Sequence, residues 1–270
     1  MVTNSELQRV GLSGWRTGLA NLLRKENRAW WASCRWLVQS VLWTVVVNGF
    51  TALVVLIVPL VAKAAGQPVV GLGDPLLTGV DLLFKLGSLA LAVGTIVLVQ
   101  DAIIGERQLG VTEWVLSKPV SRPAYVLAKL LAHGLGVLVV LVGLQGALGY
   151  GLLWLVKGEP LPLLPYLVGV AGLAVHTVFY LALTLMIGVL TTKRGLLLGV
   201  SLGILLGGLL FSGFLGTFMM LTLWALAQVL PALVLGIPLP LPIWLPIGIT
   251  AVLSAICVAV ALVRFERLDF

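Results

Sequence analysis

The sequence predicts an all-α, polytopic membrane protein: a single transmembrane domain over residues 1–270, with about six spanning helices preceded by an amphipathic interfacial helix. Three observations predict it. Of the 270 residues, 60% are hydrophobic and only 10% are charged, with a mean hydropathy of +1.13. Roughly a quarter of the residues of a soluble domain are charged, so this chain has too little polar surface to face water. Leu89–Val99 and Leu135–Leu144 are apolar on every face, whereas barrel strands would alternate apolar and polar residues. In hydrocarbon each backbone amide must be paired within its own segment, which leaves the helix.

A span needs about 20 apolar residues to cross about 30 Å of hydrocarbon. The apolar runs give spans near Leu37–Leu60, Val80–Ile104, Tyr125–Val156, Tyr166–Leu190, Gly195–Leu226 and Trp244–Val263. The fifth is open to interruption at Gly207, Gly208, Gly213 and Gly216. Six spans with both termini inside assign to one side Arg9, Arg16, Arg24, Lys25, Arg28, Arg35, Arg107, Lys118, Arg122, Lys129, Lys193, Arg194, Arg264 and Arg267. These are fourteen of the seventeen Lys and Arg. Lys63 and Lys157 remain outside, and Lys85 lies within the second span. That asymmetry follows the positive-inside rule. It accounts for the net charge of +7 without a nucleic-acid partner.

The polar start of the chain shows no cleavable signal peptide. Over Gly14–Trp36, Trp15, Leu19, Leu22 and Leu23 recur at helical spacing opposite Arg16, Arg24, Lys25 and Arg28, which predicts a helix on the inner leaflet. Trp30, Trp31, Trp36 and Trp43 are expected at the membrane interface. Pro231, Pro238, Pro240, Pro242 and Pro246 predict short helical pieces and extended turns at the outer surface. Cys34 and Cys257 are expected to be separate, buried thiols rather than a disulfide or metal ligands.

Several polar residues invite a chemical reading. Gly199-Val-Ser201-Leu-Gly203 matches a nucleophile-elbow pattern, but the serine lies mid-span and lacks the strand–turn–helix context. Gly195, Gly199, Gly203 and Gly207 recur every four residues and predict a packing ridge; it faces either a second copy or a helix of the same subunit. His133 and His176 are candidates as ionisable groups inside spans, with hydrogen-bonded packing as the plainer role. Asp81 and Lys85 are spaced for an i,i+4 ion pair. No residue set suggests a metal, and no Gly-x4-Gly-Lys-Ser/Thr phosphate loop is present.

The longest charged stretch between spans runs over residues 105–122. Gly110 supplies a turn, Thr112 and Glu113 start a short helix, and Pro119 ends it. Glu106-Arg107, Gly110, Glu113, Val115-Leu116, Ser117, Pro119-Val120, Arg122 and Lys129 occur in the order and spacing of the membrane subunits of ATP-binding-cassette exporters of the ABC-2 type, which this chain resembles. Leu23-Arg24-Lys25-Glu26 and Arg264-Phe265-Glu266-Arg267 are similar to that family too. The family's Gly-Thr-x-Glu is here Gly110-Val111-Thr112-Glu113, with the threonine displaced by one place.

The resemblance implies a permease whose 105–122 segment is a coupling helix docking on a separate ATP-binding subunit, with Glu106, Arg107, Gly110, Glu113, Pro119 and Arg122 as its site residues. It further implies two ATP-binding subunits, a second permease copy and a prokaryotic cytoplasmic membrane. ATP and magnesium would reside in the partner, no cofactor in this chain, and export would be the direction. Apolar spans favour hydrophobic cargo such as a lipid, peptide or drug-like molecule. An intramembrane protease or lipid transferase, and a non-transporting anchor for an ATPase, are the alternative readings.

Overall fold

The computed structural model describes residues 14–67 and 73–268, without the side chains of 209, 212, 213 and 217; Arg9 lies outside the described residues. Helix α1 is Leu19–Trp31. Five helices are long and apolar enough to cross a membrane: α2 (Arg35–Ala64), α3 (Pro75–Gln108), α5 (Arg122–Lys157), α6 (Leu163–Leu190) and α9 (Trp244–Glu266). A short helix, α4 (Val111–Leu116), joins α3 to α5. The expected fifth span is divided. Helix α7 (Arg194–Leu215) gives way at Gly216 to a 3-10 turn, and a ten-residue helix, α8 (Ala225–Val234), follows.

The division arises because the chain turns back into the bundle. The Trp224 indole donates to the Ile204 carbonyl at 2.7 Å and presses on Gly208, midway along α7. From there α8 runs beside α6, with Leu230 against Gly172 and Val234 against Gly169. The short helical piece and extended stretch expected around the prolines of 231–246 are both present. Pro231 is buried inside α8 and Pro246 is buried in the first turn of α9, leaving only the stretch around Pro238–Pro242 extended.

Helix α6 is the most buried span and packs on α3, α8 and α9. The buried stripe of α9 is Pro246, Thr250, Ser254, Cys257, Ala261 and Phe265. Its small members let the two backbones approach, which is how helices gain packing where lipid is as apolar as protein. Asp74 caps α3 by accepting from the amides of Leu76 and Leu77 at 2.8 and 3.0 Å, ahead of Pro75 in the first turn.

Two spans contain widened π turns, Thr44–Gly49 and Leu53–Ile57 in α2 and Leu138–Gly143 in α5. Buried Asn48, on the first of these, donates to the Gln145 side-chain oxygen at 2.8 Å, and Gln145 donates back to the Val140 carbonyl at 3.3 Å. A π turn displaces carbonyls from the ordinary ladder, and here one of them satisfies a buried amide that also ties α2 to α5. Double-mutant cycles put such interhelical bonds at about 0.6 kcal/mol each.

The tryptophans divide by role. Trp30 and Trp43, expected at the membrane interface, pack against neighbouring spans. Trp30 is 2% exposed against Gly136, and Trp43 fills the notch at Gly94. Cys257 is buried, but Cys34 is exposed, which corrects the expectation that both thiols are hidden.

Candidate functional site

The α3–α5 connection begins where α3 ends at Gln108. Gly110 takes a φ of +68°, the left-handed turn that favours glycine, and starts α4 in a new direction. Helical spacing then buries Thr112 and Val115 and leaves Glu113 and Trp114 exposed. The Ser117 hydroxyl closes the last turn on the Trp114 carbonyl at 2.8 Å. Ser121 caps α5, accepting from the Ala124 amide at 3.3 Å ahead of Pro123 in the first turn.

The segment before α1 fastens this connection. The Ser121 hydroxyl donates to the Trp15 carbonyl at 2.6 Å, and the Ser121 amide donates to the Thr17 carbonyl at 3.0 Å. Gly18, at φ +80°, lies so close to Val120 that a Cβ would stand 2.8 Å from its methyl group. The helix starts after Gly18, not at Gly14, because of this turn. Its buried stripe is Leu22, Glu26 and Trp30, packed along α5. Trp30 donates to His133 Nδ1 at 3.0 Å, so that histidine is the hydrogen-bonded packing residue the sequence suggested.

Beneath α4 lies an ion cluster. The Lys129 ammonium, on a side chain 2% exposed, sits 2.9 Å from Glu106 and 3.3 Å from Glu26. Lys25 reaches Glu106 at 2.9 Å and Glu26 at 3.5 Å. Two carboxylates thus meet two ammonium groups, and no formal charge is left over. Glu106 also accepts the Tyr125 hydroxyl at 2.6 Å, which shares a 3.1 Å hydrogen bond with Thr112. The Tyr125 ring stacks on Phe265 with centroids 5.1 Å apart. Burial lowers the pKa of Lys25, but its hydrogen bond to Glu106 and the charges of Glu106 and Glu26 outweigh that and raise it above the ordinary lysine value.

The three sequence-distant segments 23–26, 106–129 and 264–267 therefore meet at one end of the bundle. Within them the candidate residues split into two groups. Glu106 points into the cluster instead of outward. Arg107 donates to the Val189 carbonyl at 3.2 Å, while Gln108 reaches the Thr192 carbonyl and Arg194 pairs with Asp101. Arg122 donates to the Glu266 and Leu268 carbonyls, the latter at 2.8 Å, at the C-terminal end of α9, where positive charge suits the helix dipole. These three brace the segment. Glu113 and Pro119 are exposed, and Gly110 shapes the turn.

Sequence reasoning about charge missed two members of the outward face. Leu109 is 79% exposed and Trp114 is 62% exposed, with the Lys118 ammonium 3.6 Å from the Trp114 ring centroid. The signal available was an apolar pair within a charged connection, Leu109 before the Gly110 turn and Trp114 on the helix face away from the buried Thr112 and Val115.

The glycine ridge is bare over most of its length. A Cβ at Gly195, Gly199 or Gly203 would meet nothing within 4 Å, whereas Gly207 contacts Trp224. Among the described residues, no helix of the same chain covers the first three. Asp81 and Lys85 form the expected ion pair at 2.7 Å. No group of three His, Cys, Asp or Glu that could hold a metal occurs among the described residues.

Comparison with known proteins decides what this braced connection belongs to. The family model described as "ABC-2 family transporter protein" matches residues 20–270. The chain belongs to the ABC-2 transporter family. No curated protein matches it. As an ABC-2 family member with apolar spanning helices, it is a multi-pass membrane protein and the permease component of an ABC transporter, a class that associates with an ATP-binding subunit. The matched range takes in α1, the α3–α5 connection and the end of α9, so all three segments of the cluster fall within the ABC-2 region.

Proposed function

We propose that this ABC-2 permease exports a hydrophobic or amphipathic cargo, powered by ATP hydrolysis in separate subunits that dock on the face of α4. The observation that carries the reading is a bare face on a braced support. Glu113 and Trp114 project from a six-residue helix held between two spans, with Leu109 and Lys118 exposed just before and after it, and Glu106, Arg107 and Arg122 fix the connection to α1, α5, α6 and α9. An exposed aromatic ringed by charges is a common binding anchor, and a rigid connection passes displacement to the spans instead of absorbing it. In this reading Glu113 and Trp114 touch the ATP-binding subunit, Gly110 and Pro119 set the angle of the element, and ATP and magnesium are bound by the partner.

Two permease copies pair with two ATP-binding subunits, and the bare ridge of Gly195, Gly199 and Gly203 supports a close contact between the permeases. The charge asymmetry supports a cytoplasmic site for the α4 end and both termini, in a prokaryotic cytoplasmic membrane. The largely apolar spans support a cargo of lipid, peptide or drug-like character.

The test is gentle purification of the tagged chain from its native membrane. An ATP-binding subunit is expected to co-purify and to be lost in a Glu113→Ala, Trp114→Ala double variant that still folds. Reproducible isolation without any ATPase, under conditions that preserve known complexes, would overturn the reading.

A further inference from the structure

The corner between α1 and α2 carries positive charge that the described residues do not neutralise. Arg24 and Arg28 stand one turn apart on the exposed face of α1, and Arg35 is the exposed first residue of α2. Among the described residues, none of the three pairs with a carboxylate. Glu26, the one acidic residue of α1, is held with Glu106 between Lys25 and Lys129. Arg35 is steadied by a 3.3 Å bond from Nη2 to the Leu98 carbonyl and by the Trp30 ring, 5.8 Å from its guanidinium carbon. A guanidinium has further N–H donors, and most of those on Arg35 stay open.

The surroundings of the corner identify what meets this charge. Helix α1 follows α5, from Gly18 beside Val120 to Trp30 beside Gly136. Its last turn therefore lies about 18 Å along its axis from the connection that carries α4, and reaches the start of a membrane span. Trp31 and Trp36 meet at the corner with ring centroids 6.4 Å apart, and tryptophan is the side chain that settles at headgroup level. Immediately beyond, Leu37, Val38 and Val41 are exposed on α2, whose most apolar stretch is only 22% buried. Cationic and apolar exposed surfaces are thus continuous along the chain.

We infer that this corner binds the phosphate of an anionic phospholipid, with the acyl chains lying along the exposed face of α2. Arginine suits a phosphate because its N–H donors are paired to match two oxygens. A zwitterionic lipid brings its own cation and leaves the three arginines uncompensated, whereas a lipid of net negative charge offsets them, so the corner selects for net charge. The inference rests on the chain being a membrane protein, and neither on export nor on docking at α4.

The test uses the full chain, delipidated in a nonionic detergent without any ATP-binding subunit. Palmitoyl-oleoyl phosphatidylglycerol, or phosphatidylcholine with the same acyl chains, is added and bound lipids are counted by native mass spectrometry. The first phosphatidylglycerol is expected to bind about tenfold or more tightly than phosphatidylcholine. Arg28→Gln and Arg35→Gln should each lower that preference about fivefold. Lys63→Gln and Lys157→Gln, at the far ends of α2 and α5, should leave it unchanged. Thermal unfolding identifies which variants fold; if Arg35→Gln does not, the Arg24→Gln, Arg28→Gln double variant carries the test, since neither side chain has a described partner to lose. Equal affinity for the two lipids would overturn the inference and leave the corner to an acidic protein surface. A preference kept in the folded arginine variants, or lost equally in the lysine variants, would overturn it too. Because no ATPase is present, failure here leaves the coupling reading standing, and failure to find an ATPase leaves this site standing.

Discussion

The Lys129 ammonium lies 2.9 Å from the Glu106 carboxylate, beneath the connection between α3 and α5. One residue begins the third span and the other ends the second, so the pair joins the two ends of α4's support. Glu26 and Lys25 complete the cluster from α1. A buried pair of this kind contributes little net stability against an apolar replacement, but breaking it on one side strands a charge.

Lys129→Met should therefore destabilise the chain by about 3–5 kcal/mol, seen as a lower midpoint of thermal unfolding. Lys129→Met with Glu106→Gln should cost less than the two single changes summed, since Lys25 and Glu26 still balance each other. Strict additivity would mean that the two groups do not share one interaction.

Gly110 adopts φ +68°, which costs an L-residue about 1–2 kcal/mol. Gly110→Ala should lower stability by that amount and Gly110→Asn by less, because asparagine tolerates the left-handed region. Equal losses in unfolding experiments would point to a steric cause at Gly110 instead.

Trp114 is mostly exposed. Trp114→Ala should leave unfolding unchanged within about 0.5 kcal/mol while weakening association with the ATP-binding subunit about tenfold or more. Undiminished affinity would remove Trp114 from the interface.

Gly172 faces Leu230, whose methyl group would lie 2.4 Å from a Cβ there. Gly172→Val should cost about 1–3 kcal/mol by overpacking and loosen α8, raising protease cleavage in the stretch 236–243. Cleavage at the original rate would show that α8 can shift without leaving α6.

Gly203 has open space around it. Gly203→Leu should not lower the stability of a single chain but should reduce the dimer fraction measured by cross-linking or mass photometry. An unchanged fraction would remove the ridge from the permease–permease contact.

The spans were legible because lipid imposes one simple rule: a run of about 20 apolar residues must close its own backbone hydrogen bonds. The short helix after Gly110 and the ion pair of Asp81 and Lys85 were legible for a similar reason, since each depends on residues within four positions of one another. The fifth span shows the limit. Hydropathy joins Gly195–Leu226 into one segment, yet Trp224 returns to Ile204 and Gly208. Apolarity sets what can be in the membrane, not the direction in which the chain runs through it.

The site divides along the same line. Residue types and spacing in 105–122 carried the resemblance to ABC-2 permeases, and the asymmetry of Lys and Arg gave the connection its expected side. Which of those residues face out was beyond the sequence, because Glu106 and Arg122 look as solvent-ready as Glu113 until their partners are known. Those partners, Lys129, Tyr125 and the carbonyls after α9, are brought in by packing between helices far apart in the chain. The sequence alone determined a helical membrane protein with one charged connection. Only the tertiary structure decided which charges brace that connection and which face is left bare. Local rules act through the backbone, whereas a charge or a polar atom is satisfied or left open by whatever the fold sets beside it.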